Sequence, residues 1–138
     1  MEIEFPVEFL VEGTPMSLQA KERRSIERWK RQIIEASRVA LPEAHFAAAV
    51  PLAITIFYFP ADEMEGDLDN IVKPILDALE KHIYMNDRQI RRILVQIFEE
   101  EDPSDFGAEA PILKEILLNK PRPILYIRLS DDPYKDFR

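Results

Sequence analysis

LAITIFYF, residues 52–59, is the stretch that decides the fold. It is rich in β-branched and aromatic residues, and it is apolar at both sets of alternating positions. This pattern is typical of a strand that is buried on both faces. We therefore predict that this segment is the central strand of a sheet.

The sequence before this strand predicts one strand and one helix. Apolar residues alternate with Glu and Pro from Ile3 to Val11, which indicates a strand with one buried face at an exposed or edge position. A helix is predicted from about Ala20 to Ala40, before Pro42, with Ser17 available to cap it. Most basic residues of this helix fall outside its apolar stripe.

The sequence after the central strand predicts a helix, then a strand over 90–98, a short helix over 111–118 and a last strand over 124–129. We expect residues 131–138 to form a frayed tail. The resulting order, β-α-β-α-β-(α)-β, predicts one domain over residues 1–138 of the mixed α+β class. Sheet order and strand directions stay open at this point.

Composition limits the class of protein. The 138 residues are 46% hydrophobic, enough for a core, and contain no cysteine, which excludes disulfides and thiolate metal sites. No apolar run approaches the roughly 18–20 residues of a membrane span, and the acidic start, Met1 to Glu4, is unlike a secretory signal. We expect a soluble cytoplasmic protein.

The formal net charge of −8 argues against nucleic-acid binding, because such proteins usually gain affinity by neutralising phosphates. The charges are nevertheless segregated, since seven basic residues and only three acids lie between Lys21 and Arg38. The candidate phosphate contacts are Arg23, Arg24, Arg28 and Arg31 on the first helix and a second basic group, Arg88, Arg91 and Arg92. Pairing of these arginines with the abundant acids is the alternative.

A candidate metal site lies in GDLDNIVK, residues 66–73, where a loop enters the second predicted helix. Asp67 and Asp69 would point the same way in an extended segment, and carboxylate oxygens are preferred ligands of Mg²⁺. Lys73 is four residues after Asp69 and so on the same helical face. Asn70 can ligate, cap the helix or orient a carboxylate. The alternative is ordinary helix capping, because acids are favoured at a helix N-terminus.

The second helix is predicted from Asp69 or Asn70 to Ile83, with an apolar stripe at helical spacing. Pro74 conflicts with this prediction, since it removes a backbone hydrogen bond or moves the helix start later.

A wider pattern resembles a known family. Asp67-x-Asp69-Asn70-x-x-Lys73, then Leu76-Asp77-Ala78-Leu79, then Asp87-x-Gln89 is similar to the signature of the RusA family of Holliday junction resolvases, which are Mg²⁺-dependent endonucleases of bacteria and their phages. The resemblance is dense over Gly66 to Ile90. Elsewhere the order of elements agrees with it.

The resemblance implies a function and roles for individual residues. Asp67, Asp69 and Asp87 would be the metal-binding carboxylates and Lys73 the essential lysine. Apart from the resemblance, we expect Asn70 and Asp77 in supporting positions, with a purely structural role as the alternative for Asp77. The cofactor would be Mg²⁺, with Mn²⁺ as an alternative. The partners would be a four-way DNA junction and a second copy of the chain.

The length of the second predicted helix suggests how such a dimer would be arranged. From Asn70 to Ile83 it would be about 20 Å long, with Asp67 and Asp69 at its start and Asp87 beyond its end. We therefore expect composite sites, in which Asp87 of one subunit meets Asp67 and Asp69 of the other.

Two other functions are considered. The first is a RusA-fold dimer with weak or lost nuclease activity that acts as a regulatory or protein-binding module. This alternative is favoured by the pI of about 4.8, which is low for an enzyme that binds DNA junctions. The second is a metal-dependent nuclease that acts on other branched DNA or on RNA.

Overall fold

The computed structural model of the chain describes residues 1–16, 23–62, 68–102 and 110–135. The elements are β1 (Val7–Glu12), α1 (Arg23–Ser37), β2 (Leu52–Phe59), α2 (Asp69–Leu79), β3 (Ile90–Ile97), α3 (Pro111–Asn119) and β4 (Ile124–Ser130). Short 3₁₀ turns lie at Arg38–Ala40 and Asp87–Gln89. The predicted α+β class and the order of elements are confirmed.

The four strands form one mixed sheet in the order β1-β4-β2-β3. β4 is antiparallel to both β1 and β2, whereas β2 and β3 are parallel. β2 is therefore an interior strand and β1 an edge strand, as predicted. The other edge of the sheet is β3.

Helices α1 and α2 cover one face of the sheet and form the larger core. Trp29 and Ile33 of α1 and Ile75 of α2 pack with Ile56 of β2 and Ile127 of β4, all of them buried. On the opposite face, α3 covers one end of the sheet, where Leu113 and Ile116 pack against Phe59, Phe98 and Tyr126. Alternate residues of β2 thus enter different cores, which explains why its sequence is apolar at nearly every position.

The predicted end of α2 is wrong. The helix stops at Leu79, and Glu80 takes an extended conformation instead of continuing to Ile83. Lys81 has a positive φ of 66°, which turns the chain back. Ile83 is buried, as its place in the apolar stripe predicted, but it is buried from this turn. Pro74 is tolerated inside the helix.

Helix α1 is described from Arg23 to Ser37, and residues 38–40 continue it as a 3₁₀ turn. The expected start near Ala20 and the cap at Ser17 lie outside the described residues. None of the helices in the described ranges has both the length and the apolar character needed to cross a membrane.

The segment after β4 contacts the body of the domain. Pro133 is buried, the Asp132 amide donates to Ser130 Oγ at 3.1 Å, and Arg91 Nη1 donates to the Tyr134 hydroxyl at 3.3 Å. Residues 131–135 therefore differ from the frayed tail that we expected there. Residues 136–138 lie outside the described part of the chain.

Candidate active site

Asp69 is the first residue of α2, and Lys73 follows one helical turn later. The residue at the helix N-cap is Leu68, which makes no side-chain cap, so Asp69 and Asn70 are inside the helix. Both Asp69 and Lys73 are exposed. Asp67 lies outside the described residues, and its place beside Asp69 stays a prediction.

Lys73 lies between two carboxylates. Its Nζ donates to Asp77 Oδ1 at 2.7 Å and is 3.9 Å from Asp87 Oδ2. The hydrogen bond that Lys73 donates to Asp77 is the main cause of the raised pKa of Lys73. The charges of Asp77, Asp87 and Glu80 also raise this pKa, and desolvation lowers it by less than the hydrogen bond raises it. The lysine is therefore held in its charged form.

The turn after α2 places Asp87 beside Lys73 of its own chain. The buried Tyr84 donates its hydroxyl to the Leu76 carbonyl at 2.6 Å, which ties the end of the turn to the last part of α2. The chain then runs back along the helix to Asp87. The expectation of composite sites depends on a longer helix with Asp87 beyond its far end. In the structure the helix ends at Leu79 and Asp87 lies beside Lys73 of the same chain.

Gln89 fixes the 3₁₀ turn that carries Asp87. Its Oε1 accepts from the amides of Met85 and Asn86, both at 2.9 Å. Its Nε2 donates to the carbonyls of Ala48 at 2.8 Å and Val50 at 3.0 Å. One amide side chain thus satisfies four backbone groups from two segments that are distant in sequence.

Asn86 completes this arrangement by accepting from the Arg88 amide at 2.8 Å, and with Gln89 it forms a capping box around the turn. Neither structural role is among the predictions from the sequence. The spacing Asn86-x-x-Gln89 is a capping-box pattern, and this pattern could have predicted the turn from the sequence.

The loop before β2 supports the turn from the other side. The Ala48 amide donates to the Ile83 carbonyl at 2.7 Å, and the Met85 amide donates to the Ala48 carbonyl at 3.3 Å. His82 Nε2 lies 2.8 Å from Ser37 Oγ. Because Ser37 Oγ donates to the Ile34 carbonyl at 2.6 Å, His82 is assigned as the donor to Ser37. His82 is therefore a packing residue that links the turn to α1.

The carboxylates suit a hard divalent cation. Asp69 and Asp87 are both exposed. Asp69 precedes Lys73 by one helical turn, and Asp87 Oδ2 is 3.9 Å from Lys73 Nζ. Oxygen donors of this kind match Mg²⁺ or Mn²⁺. Within the described ranges no three His, Asp or Glu side chains are grouped closely enough to hold a metal ion. The third predicted carboxylate, Asp67, is outside those ranges.

The predicted basic residues fall into separate places. Arg23, Arg24, Arg28 and Arg31 line one surface groove on α1, together with Glu27. Arg88 is exposed next to Asp87, and its carbonyl accepts from Arg91 Nε at 3.0 Å. Arg92 pairs with Ala53 on β2 and points away from the helices α1 and α2. The structure thus separates Arg92 from the arginines of α1.

The chain matches the model of a known family. The family model described as "Endodeoxyribonuclease RusA" matches residues 12–105, about two thirds of the chain. The matched region contains α1, β2, α2, the Asp87 turn and β3. The search of curated proteins found no match.

Proposed function

Because the chain belongs to the RusA family of endodeoxyribonucleases, we propose that it resolves four-way DNA junctions by paired, metal-dependent cleavage of phosphodiester bonds. The observation that carries this proposal is the position of Lys73. Lys73 follows Asp69 by one helical turn, and its Nζ is 3.9 Å from Asp87 Oδ2 of the same chain. All three residues lie inside the matched region.

Asp69 and Asp87, together with Asp67, are the proposed holders of a divalent cation, Mg²⁺ or alternatively Mn²⁺. Such an ion, when bound, polarises a phosphoryl oxygen and lowers the pKa of an attacking water. The protein's own contribution is to hold exposed carboxylates in place. Gln89 does this for Asp87 through its four backbone contacts.

Lys73 contributes positive charge. Its raised pKa keeps it protonated at neutral pH, which makes it unsuitable as a general base. A protonated lysine beside the scissile phosphate stabilises the negative charge that develops on the phosphoryl oxygens. Asp77 holds the ammonium group through the 2.7 Å contact and is a positioning residue.

Arg23, Arg24, Arg28 and Arg31 are the proposed contacts to the DNA backbone. They share one exposed groove on α1, and α1 packs next to α2 on the same face of the sheet. Arg88, beside Asp87, is proposed to contact the phosphate next to the cleaved one. Action on cellular DNA would place the protein in the cytoplasm.

A homodimer is proposed because two symmetric cuts in a junction require two sites. An apolar groove between α2 and the edge strand β3 supports a second copy as the partner. It is lined by Leu68, Val72, Leu76, Ile93 and Val95, together with Asp69 and Lys73. The Ile93 side chain is 46% exposed. We propose that each active site forms within one chain and that pairing brings two such sites together.

The test uses a labelled four-way junction and a linear duplex, each incubated with Mg²⁺ or with EDTA. The variant Asp69→Asn removes one carboxylate charge, and Glu115→Gln, on the exposed surface of α3, is the matched control. Symmetric Mg²⁺-dependent nicks in the wild type and in Glu115→Gln that are lost in Asp69→Asn support the proposal.

The second candidate function is a regulatory or protein-binding dimer, which the net charge of −8 favours. If the wild type neither binds nor cuts the junction or the duplex, that candidate replaces the nuclease. A preference for a branched flap or an RNA substrate in the same assay would keep the nuclease activity and change only its substrate.

A further inference from the structure

A second basic surface lies on the face of the sheet away from α1 and α2. It is a concavity of about 400 Å³ at the end of the sheet where β2 and β3 begin. Its floor is formed by Ala53 and Thr55 of β2, which have short side chains. The strands on both sides carry long basic side chains, Arg92 on β3 and Arg128 on β4. We call this feature the sheet-face groove.

The sheet-face groove has an excess of positive charge. Among the described residues, Arg92, Arg128 and Lys135 line it, against a single lining carboxylate, Asp132. Within the described residues, no carboxylate lies within 4.0 Å of the charged groups of Arg128 or Lys135. Such a local excess is opposite to the net charge of −8 of the whole chain, and it would attract an anion.

The acid that is opposite Arg128 across the strands does not line the groove. Glu8 of β1 is opposite Arg128 in the sheet register, and its carboxylate accepts a hydrogen bond from the Tyr126 hydroxyl. The hydroxyls of Thr55 and Ser130 also line the groove and add uncharged donors. Fixed cations and hydroxyl donors on neighbouring strands are the chemistry that recognises phosphate groups.

The groove is connected to the candidate active site by the chain itself. The Asp87 turn leads directly into β3, and Arg92 is the third residue of that strand. Arg88 and Arg91, joined by the 3.0 Å hydrogen bond, lie between Asp87 and Arg92 in sequence. Basic residues therefore continue from the site around the end of the sheet to its open face.

We propose that the sheet-face groove binds phosphate groups of the DNA arm that flanks the cleavage site. The inference rests on the proposed nuclease function and adds a second contact surface to it. Arg128 and Lys135, which are not among the phosphate contacts predicted from the sequence, are the residues that define this surface. DNA held both at Asp87 and in the groove would bend around the end of the sheet.

The test is the double variant Arg128→Gln/Lys135→Gln. Its matched control is Lys114→Gln/Lys120→Gln, which also removes two positive charges but takes them from exposed lysines on and just after α3. Binding of a fluorescent four-way junction is measured in EDTA over a series of NaCl concentrations. Melting temperatures of all proteins establish that the variants are folded.

The groove variant should bind the junction roughly 10-fold more weakly, and its slope of log K against log [salt] should fall by about two. The control should bind within about twofold of the wild type, because α3 packs at the other end of the sheet from the groove. A groove variant with the affinity and slope of the control would overturn the proposal.

The results distinguish failure of the groove proposal from failure of the proposed nuclease function. If the wild type binds and cuts the junction while the groove variant binds equally well, only the groove proposal fails. If the wild type neither binds nor cuts any DNA, the proposed function fails and the groove proposal fails with it.

Discussion

Lys73 Nζ and Asp87 Oδ2 of one chain lie 3.9 Å apart, although the end of α2 and a complete turn separate the two residues in sequence. This contact places a charged lysine beside Asp87 of its own chain. From the sequence we expected Asp87 to complete the site of the other subunit. It also decides which experiments can test the proposed chemistry.

Lys73→Ala should lower kcat about 10²–10³-fold, the effect of removing one group that stabilises transition-state charge. Its melting temperature should change little, since exposed ion pairs contribute about 0–1 kcal/mol. Cleavage of a labelled junction at saturating Mg²⁺ measures the effect, with Lys114→Ala on α3 as the control. Equal activity in both variants would exclude the proposed role.

Mixing two inactive variants distinguishes sites within one chain from composite sites. Co-expressed Asp69→Asn and Asp87→Asn subunits should give an inactive mixed dimer, because each chain lacks one carboxylate of its own site. Composite sites would instead leave one intact pair in each mixed dimer and restore nicking of one strand. The assay is nicking by differently tagged subunits purified as a pair.

Gln89→Ala should raise the Mg²⁺ concentration that cleavage requires, and it should have a smaller effect on DNA binding. Loss of four backbone contacts frees the turn that carries Asp87 and should cost about 1–3 kcal/mol of the free energy of unfolding. We expect the Mg²⁺ concentration for half-maximal cleavage to rise several-fold, with partial recovery at high Mg²⁺. Gln96→Ala, on the exposed side of β3, is the control. A fall in stability with an unchanged Mg²⁺ requirement would limit Gln89 to a structural role.

His82 should make stability depend on pH. Burial, with the nearby charges of His45 and Arg38, lowers the pKa of His82 from its ordinary value of 6.5. The unfolded chain therefore binds a proton more readily than the folded protein, and the free energy of unfolding should decrease as the pH falls below 6.5.

Urea unfolding between about pH 7.5 and 5 measures this dependence. His82→Gln keeps a donor for Ser37 without a titrating ring, and its stability should vary less over the same range. An identical pH dependence in the variant would assign the effect to other groups.

Ile93→Glu should prevent pairing through the edge of β3. The substitution places a charge in the apolar groove between α2 and β3, where a second copy is proposed to bind. Sedimentation velocity should give a monomer for this variant and a dimer for the wild type. Val39→Glu, at a position 87% exposed and outside the groove, is the control. A dimer that persists in Ile93→Glu would place the interface elsewhere.

Local sequence patterns predicted most of the fold. β2 was placed in the interior of the sheet because its sequence is apolar at alternate positions of both faces, and the structure confirms this. The end of α2 was misplaced because Ile83 keeps the helical spacing while lying in a turn. Burial of Ile83 satisfies the same apolar pattern in either conformation, so periodicity alone does not distinguish them.

The sequence by itself determined the family, the order of elements and the chemical types at the site, because these depend on residue identity and on short-range spacing. Only the tertiary structure decided that Lys73 meets Asp87 of its own chain and that Gln89 ties the turn to Ala48. It alone also brought Arg128 and Lys135 together in one groove. The physical reason is that these relationships depend on chain reversal and on strand register, which are set by packing between segments distant in sequence.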